Sequence, residues 1–151
     1  MIFRSKAPLR IGLAGGGTDV SPYCDLYGGA ILNTTISHAA YASIETLDAN
    51  KIIVETLDRK EKQEFSWDTI LPIDGELNLL KGVYNRIQKD YGIKKCGIRL
   101  STFVDAPAGS GLGTSSTLVV AILGAFIEML RLPFSQYDAA HYAYDIERNN
   151  L

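Results

Sequence analysis

The chain has 151 residues, enough for one domain built on one hydrophobic core. Its 46% hydrophobic and 21% charged residues are those of an ordinary globular protein, and a formal net charge of -2 gives no electrostatic footprint for nucleic acid or for an anionic membrane. Cys24 and Cys96 form neither a C-x-x-C motif nor a disulfide framework and read as two buried or half-buried thiols in a reducing compartment, while His38 and His141 lack partners at metal spacing and read as structural or surface residues.

The first residues, Met1 to Lys6, carry two cations but no apolar stretch of signal type. The apolar run after Thr117 is too short, and too closely followed by Glu128 and Arg131, to span a bilayer, which takes ~20 residues. A cytoplasmic protein is expected, with no membrane partner. Ile2 to Lys6 alternates as a short strand that Ala7-Pro8 breaks, and Arg10 to Ala14 resumes an extended pattern. Gly15-Gly16-Gly17-Thr18-Asp19 then forces a turn. Glycine costs roughly 0.5–1 kcal/mol relative to alanine within regular structure, so something must approach this backbone closely or the turn must need φ > 0. Two readings stay open on the residues alone: a substrate pocket in which Asp19 accepts hydrogen bonds from hydroxyls, or a tight turn capped by an Asx side chain.

Ala30 to Ile36 predicts a buried strand, and Ala42, Ile44 and Thr46 alternate against Tyr41, Ser43 and Glu45. Ile52 to Leu57 and Lys62 to Phe65 continue as strands around the charged turn Asp58-Arg59-Lys60-Glu61, a solvated hairpin tip. Trp67 is expected to pack on the sheet. Leu80, Val83, Tyr84, Ile87 and Tyr91 make one helical stripe closed by Gly92, on which Lys81 reads as a surface lysine.

Gly97 to Phe103 alternates as a strand with Ile98, Leu100 and Thr102 on one face. It leads into Asp105-Ala106-Pro107-Ala108-Gly109-Ser110-Gly111-Leu112-Gly113-Thr114-Ser115-Ser116, and Thr117 to Leu130 is then a nearly unbroken apolar helix. A strand, a glycine-rich turn and a helix in that order suit an anion. The glycines clear side chains from the main chain and permit positive φ. The first N–H groups of the helix have no internal partners and lie at the positive end of its dipole, so a phosphate is the usual guest. The stretch is not a Walker loop, because it contains no lysine, and its glycines follow G-x-G-x-G instead of the dinucleotide spacing. A glycine-decorated helix cap is the bland alternative. After Leu132-Pro133, Ser135 with Asp138 resembles a capping box, and Ala139, Tyr142, Ala143 and Ile146 form an apolar stripe with Glu147 beside it. The chain stops at Leu151, in this helix or just after it. The elements predict an α+β domain with a mixed, mostly antiparallel sheet backed by helices.

Pro107 to Ser116, P-A-G-S-G-L-G-T-S-S, closely resembles the second motif of the GHMP kinases, the family of galactokinase, homoserine kinase and mevalonate kinase. Ala7-Pro8-Leu9-Arg10 through Thr18-Asp19 resembles their first motif, and Asn78 to Val83 resembles a segment of galactokinase-like proteins. Gly16 and Gly17 stand where galactokinases carry Glu and His, which argues against galactose. The triple glycine before Thr-Asp is similar to that of the kinases acting on D-glycero-D-manno-heptose 7-phosphate.

The resemblance covers nearly the whole chain and implies the N-terminal domain of that family, over 1–151, with the fold of the second domain of ribosomal protein S5. It implies ATP and Mg²⁺ as cofactors and a sugar or sugar-phosphate substrate. Pro107, Gly109, Ser110, Gly111, Leu112, Gly113, Thr114, Ser115 and Ser116 would hold the ATP phosphates. Ser115 and Glu147 would meet the metal. Gly15, Gly16, Gly17, Thr18 and Asp19 would bind the sugar, and Arg10 would stand near the reacting hydroxyl as the catalytic cation. Trp67 beside an adenine is a further possibility. The family's third motif, its catalytic aspartate and its C-terminal domain are expected beyond Leu151, so this chain alone is expected not to turn over. Its surface toward that domain is expected to be apolar and able to drive self-association as a homo-oligomer. The alternatives are a kinase of the same fold acting on L-fucose or galactose, and a non-catalytic nucleotide-binding or oligomerising domain.

Overall fold

A computed structural model describes residues 1–67, 70–94 and 96–149; the expected stop at Leu151 lies outside them. Among these described residues, five strands and four helices follow in the order β1 (Ile2–Ala14), α1 (Tyr23–Tyr27), β2 (Leu32–Leu47), β3 (Lys51–Thr56), β4 (Glu61–Ser66), α2 (Asn78–Tyr91), β5 (Gly97–Val104), α3 (Thr114–Leu130) and α4 (Gln136–Asn149). The strands form one sheet in the order β1-β2-β5-β3-β4, antiparallel except for the β3/β5 pair. The mixed, mostly antiparallel sheet read from the sequence is therefore the one that forms.

One face of the sheet is apolar because alternate residues point the same way. Ala42 and Ile44 of β2, Ile52 and Val54 of β3, and Ile98 and Leu100 of β5 are all buried on it. Val119, Ile122, Leu123 and Phe126 of α3 cover these strands, and Val83, Tyr84 and Ile87 of α2 complete the core. Each fully buried aliphatic side chain is worth roughly 1.5–3 kcal/mol. Trp67 packs in the same core, as expected of it.

Three expectations need correction. The strand at the N-terminus does not stop at Ala7-Pro8 but runs through it as β1. Proline is tolerated because β1 is the edge strand and the ladder shifts register between Pro8 and Arg10. The stretch read as a buried strand from Ala30 is mostly exposed, beginning as β2 only at Leu32. There β2 pairs with β1 alone, since β5 joins it only from Ala40 onward. Residues 10–14 and 32–35 are thus a two-stranded arm projecting past the main sheet. Finally, Lys81 is no surface lysine: its side chain is 1% exposed.

Two helix ends follow their sequence signals. Gly92 caps α2 with φ 63° and donates to the Gln88 carbonyl at 3.1 Å. At the start of α4 the Ser135 amide donates to Asp138 Oδ2 at 2.8 Å and the Asp138 amide donates to Ser135 Oγ at 3.2 Å, a reciprocal cap.

Candidate active site

The glycine-rich stretch leaves β5 and enters α3 as the sequence indicates, but the helix begins at Thr114, three residues before the apolar run. Gly109, Gly111 and Gly113 have φ of 79°, 74° and 70°, a backbone that side-chain-bearing residues rarely adopt. Nothing lies within 4 Å of where a Cβ would stand on Gly109 or Gly111. Their inner faces are open to a ligand. A turn closes through the Ser110 amide onto the Pro107 carbonyl at 3.2 Å, and the first helical bond runs from the Thr117 amide to the Gly113 carbonyl at 3.0 Å. No side chain caps α3, so the amides of Thr114, Ser115 and Ser116 have no intrahelical acceptor. Asp105 anchors the approach by accepting from the Ala39 amide at 3.1 Å.

A cavity of about 400 Å³ opens beside this loop. Ala106, Ala108, Thr114 and Ser115 form one wall, and Gly75 to Leu80 at the start of α2 form the opposite one. Asp58 and Arg59 of the hairpin tip complete the lining. Two helix N-termini, those of α2 and α3, therefore face one space, and both dipoles present their positive ends to it. Asn78 belongs to this lining, and its Oδ1 is buried without a hydrogen-bond partner among the described residues. The hairpin tip and the α2 start were not among the site residues read from the sequence. Only the match of Asn78 to Val83 with galactokinase-like proteins pointed at the second of them. Trp67 does not line the cavity.

Arg10 joins the two motifs. Its amide donates to the Leu112 carbonyl at 3.1 Å, and its side chain lies so close to Gly113 that a Cβ there would meet it at 3.3 Å. The glycines of the first motif serve different ends. A Cβ on Gly15 would lie 2.0 Å from the Ala30 carbonyl oxygen, so the start of the turn crosses the segment before β2 at a distance that only glycine allows. Gly16 and Gly17 face open space. Thr18 ties the turn down: its hydroxyl donates to the Gly15 carbonyl at 2.7 Å and accepts from the Ala30 amide at 3.2 Å. Asp19 is exposed.

Glu147 comes to the glycine-rich end of α3 from α4, where its Oε1 accepts from Ser116 Oγ at 3.0 Å. Ser115, one residue earlier, faces the cavity instead. Both hydroxyls and the carboxylate sit at the helix start, but it is Ser116 that touches Glu147. The helix carrying Glu147 is clamped to α2. Asp90 accepts from Arg86 Nε at 2.5 Å and from the Tyr142 hydroxyl at 2.8 Å, and the Tyr142 ring packs edge-on against Phe134 at 5.6 Å. The Arg86 hydrogen bond holds the Asp90 carboxyl below its ordinary value, while burial and then the bond to Asp90 push the Tyr142 phenol well above its own.

The sign of the pH effect follows. A carboxyl depressed in the folded state supports the fold fully above its ordinary value of 3.8 and loses that support as pH falls through the lower folded value. Asp90→Asn should therefore melt below the wild type at neutral pH, with the gap closing as pH drops below that range. Thermal melts from pH 7 downward check this. A gap that stays constant with pH would remove the charge from the account.

Among the described residues no cluster of three or more His, Cys, Asp or Glu side chains could hold a metal ion, and no helix is long and apolar enough to cross a membrane.

Residues 78–151 match the model of the GHMP kinases N terminal domain. A D-glycero-alpha-D-manno-heptose 7-phosphate kinase of Campylobacter jejuni is 46% identical over 148 residues, covering 98% of this chain and 44% of that protein. The crystal structure of a D-glycero-D-manno-heptose 1-phosphate kinase from Bacteroides thetaiotaomicron superimposes with a TM-score of 0.91 at 53% identity, over 99% of this chain and 48% of that one. Galactokinase from Lactococcus lactis, at 22% identity, shares the fold with a TM-score of 0.79 over 99% of this chain and 38% of its own. The chain spans less than half the length of these relatives.

Proposed function

Because the chain belongs to the GHMP kinases and carries the fold of their N-terminal domain, we propose that it is the nucleotide-binding half of an ATP-dependent kinase. The acceptor in this reading is a hydroxyl of a heptose phosphate, D-glycero-D-manno-heptose 7-phosphate. The observation that carries the reading is the seam at Arg10: its amide bonds the glycine loop and its side chain lies beside Gly113, while its strand leads into the Gly15–Asp19 turn. A phosphate donor on the loop and an acceptor at the turn would be neighbours there.

The ATP phosphates lie along Pro107 to Ser116, held by loop amides and by the unpaired amides at the start of α3. The nucleoside enters the cavity between α2 and α3, where Asn78 at the start of α2 lines the wall and its side-chain amide can both donate to and accept from a base edge. Glu147, Ser116 and Ser115 supply hard oxygen donors fitting magnesium, which takes one or two carboxylates together with phosphate oxygens. When bound, such an ion neutralises charge on the phosphates. Arg10 offsets charge near the transferring group. Asp19 accepts hydrogen bonds from sugar hydroxyls, and Thr18 with the three glycines shapes the turn that presents it.

The base that orients the attacking hydroxyl is assigned to a second domain of the kind that makes up the remaining length of the relatives. That domain docks on the apolar side chains Leu13, Leu26, Tyr27 and Leu32, which are exposed beside the turn. The same patch left uncovered is the route to self-association.

The test is ATP consumption dependent on heptose 7-phosphate by the full kinase, with Asp19→Ala beside it. Removing a charge-assisted hydrogen bond worth on the order of 1.5–3 kcal/mol should weaken sugar turnover and leave ATP binding unchanged. Equal losses for both substrates would mean that the turn had collapsed, and turnover indifferent to the heptose would refute the acceptor.

A further inference from the structure

Lys81 is the residue that the site does not use and the fold does not explain. Its side chain is 1% exposed, yet it lies in the first turns of α2, near the positive end of that helix's dipole. Burial and the dipole both disfavour a cation there. Compensation is thin. The amine donates to the Asp74 carbonyl at 2.9 Å, and the Asp74 carboxylate stands 3.8 Å away on a side chain that is 80% exposed. A hydrophobic side chain of the same length would fill the space at lower cost.

What Lys81 does hold is a loop. Asp74 opens the segment that runs through Gly75 (φ 74°) and Leu77 (φ 60°) into α2. A leucine in the left-handed region costs roughly 1–2 kcal/mol, and α2 has no side-chain cap to keep Leu77 there. Gly75 to Leu80 is the wall of the cavity opposite the glycine loop, and it carries Asn78, whose buried Oδ1 has no hydrogen-bond partner among the described residues. The hydrogen bond from Lys81 spans from α2 back to the start of this loop and fixes its shape.

We propose that Lys81 is a positioning residue for the nucleoside: by pinning Asp74 it sets the left-handed loop and, through it, the place of Asn78 in the cavity. The proposal rests on the nucleotide reading of that cavity. It separates two parts of one ligand, because the phosphates lie on the glycine loop, which Lys81 does not touch.

The experiment compares ATP with inorganic tripolyphosphate, both with magnesium, by calorimetry on the full chain and its Lys81→Met and Lys81→Arg variants. Lys81→Met keeps volume and removes a buried charge, so its melting temperature should equal or exceed that of the wild type. Its ATP affinity should nonetheless fall about three- to tenfold, the scale of a neutral hydrogen bond, toward that of tripolyphosphate, whose binding stays as in the wild type. Lys81→Arg should restore part of the difference. Unchanged ATP affinity in a folded Lys81→Met variant overturns the proposal, and so does an equal loss for both ligands. Should Lys81→Met fail to fold, Gly75→Ala strains the same loop without touching Lys81 or meeting a neighbour within 4 Å. It must show the same split between ATP and tripolyphosphate, and equal binding of both as in the wild type counts against the loop. A wild-type chain that binds neither ligand removes the nucleotide reading and this proposal with it, which distinguishes that failure from a failure of Lys81 alone.

Discussion

Gly111→Val is expected to abolish nucleotide binding while the domain stays folded. Gly111 has φ 74°, and no atom lies within 4 Å of the position its Cβ would take. A Cβ there meets no neighbour, and the left-handed backbone costs a side-chain-bearing residue roughly 1–2 kcal/mol, against a typical domain stability of 5–15 kcal/mol. The methyl groups of valine project into the open side of the loop, which the phosphates must approach to reach the amides. Hydrogen bonds to a charged group are worth about 1.5–3 kcal/mol each, so keeping the phosphates off two amides amounts to a hundredfold or more in affinity. Calorimetry with ATP, beside circular dichroism for the fold, decides it. Unaltered affinity would place the phosphates elsewhere.

The second large effect is expected at Glu147. Glu147→Gln keeps an oxygen able to accept from Ser116 at a separation of 3.0 Å and removes only the charge. If the carboxylate serves a magnesium ion, the tightening of ATP binding by magnesium should drop by roughly tenfold or more, with metal-free ATP binding unchanged. Ser115→Ala and Ser116→Ala then divide the hydroxyl roles. Resemblance to the family points to Ser115, which faces the cavity, whereas Ser116 is the one in contact with Glu147. Loss in Ser116→Ala alone would make the observed pair the ligand set. Full retention of the magnesium effect in Glu147→Gln would leave Glu147 as a carboxylate that docks α4 on α3 and nothing more.

Much of the fold was legible because its signals are local. The stripe from Leu80 to Ile87, the cap at Gly92 and the Ser135/Asp138 pair each depend on residues within a few positions of one another, and each forms as read, whereas Tyr91 at the end of the expected stripe is exposed. The glycine loop was legible for the same reason, since strand, turn and helix are contiguous. What escaped was set by distant parts of the chain. Lys81 reads as solvated from its charge and neighbours, but a left-handed loop folds over it. Asp58 and Arg59 sit on a hairpin whose tip does meet solvent, and only the packing of α2 makes that tip part of a cavity. Which hydroxyl meets Glu147 is a matter of helix phase. Starting α3 at Thr114 separates Ser115 from Ser116 by about 100° around the axis, and the sequence did not mark that start.

The arm formed by residues 10–14 and 32–35 leaves the five-stranded sheet where β5 ceases to pair with β2. Two strands alone are marginally stable in water, so the arm is less supported than the five-stranded block it leaves. The arm leads into the Gly15–Asp19 turn, and its fulcrum is the register shift between Pro8 and Arg10. At that fulcrum the Arg10 amide grips the Leu112 carbonyl of the glycine loop. A load placed on the free end, by a sugar or by another protein surface, therefore reaches the phosphate loop where the Arg10 amide bonds Leu112. In mechanical terms the acceptor end and the donor end share one bearing, a main-chain hydrogen bond with the Arg10 side chain lying beside it.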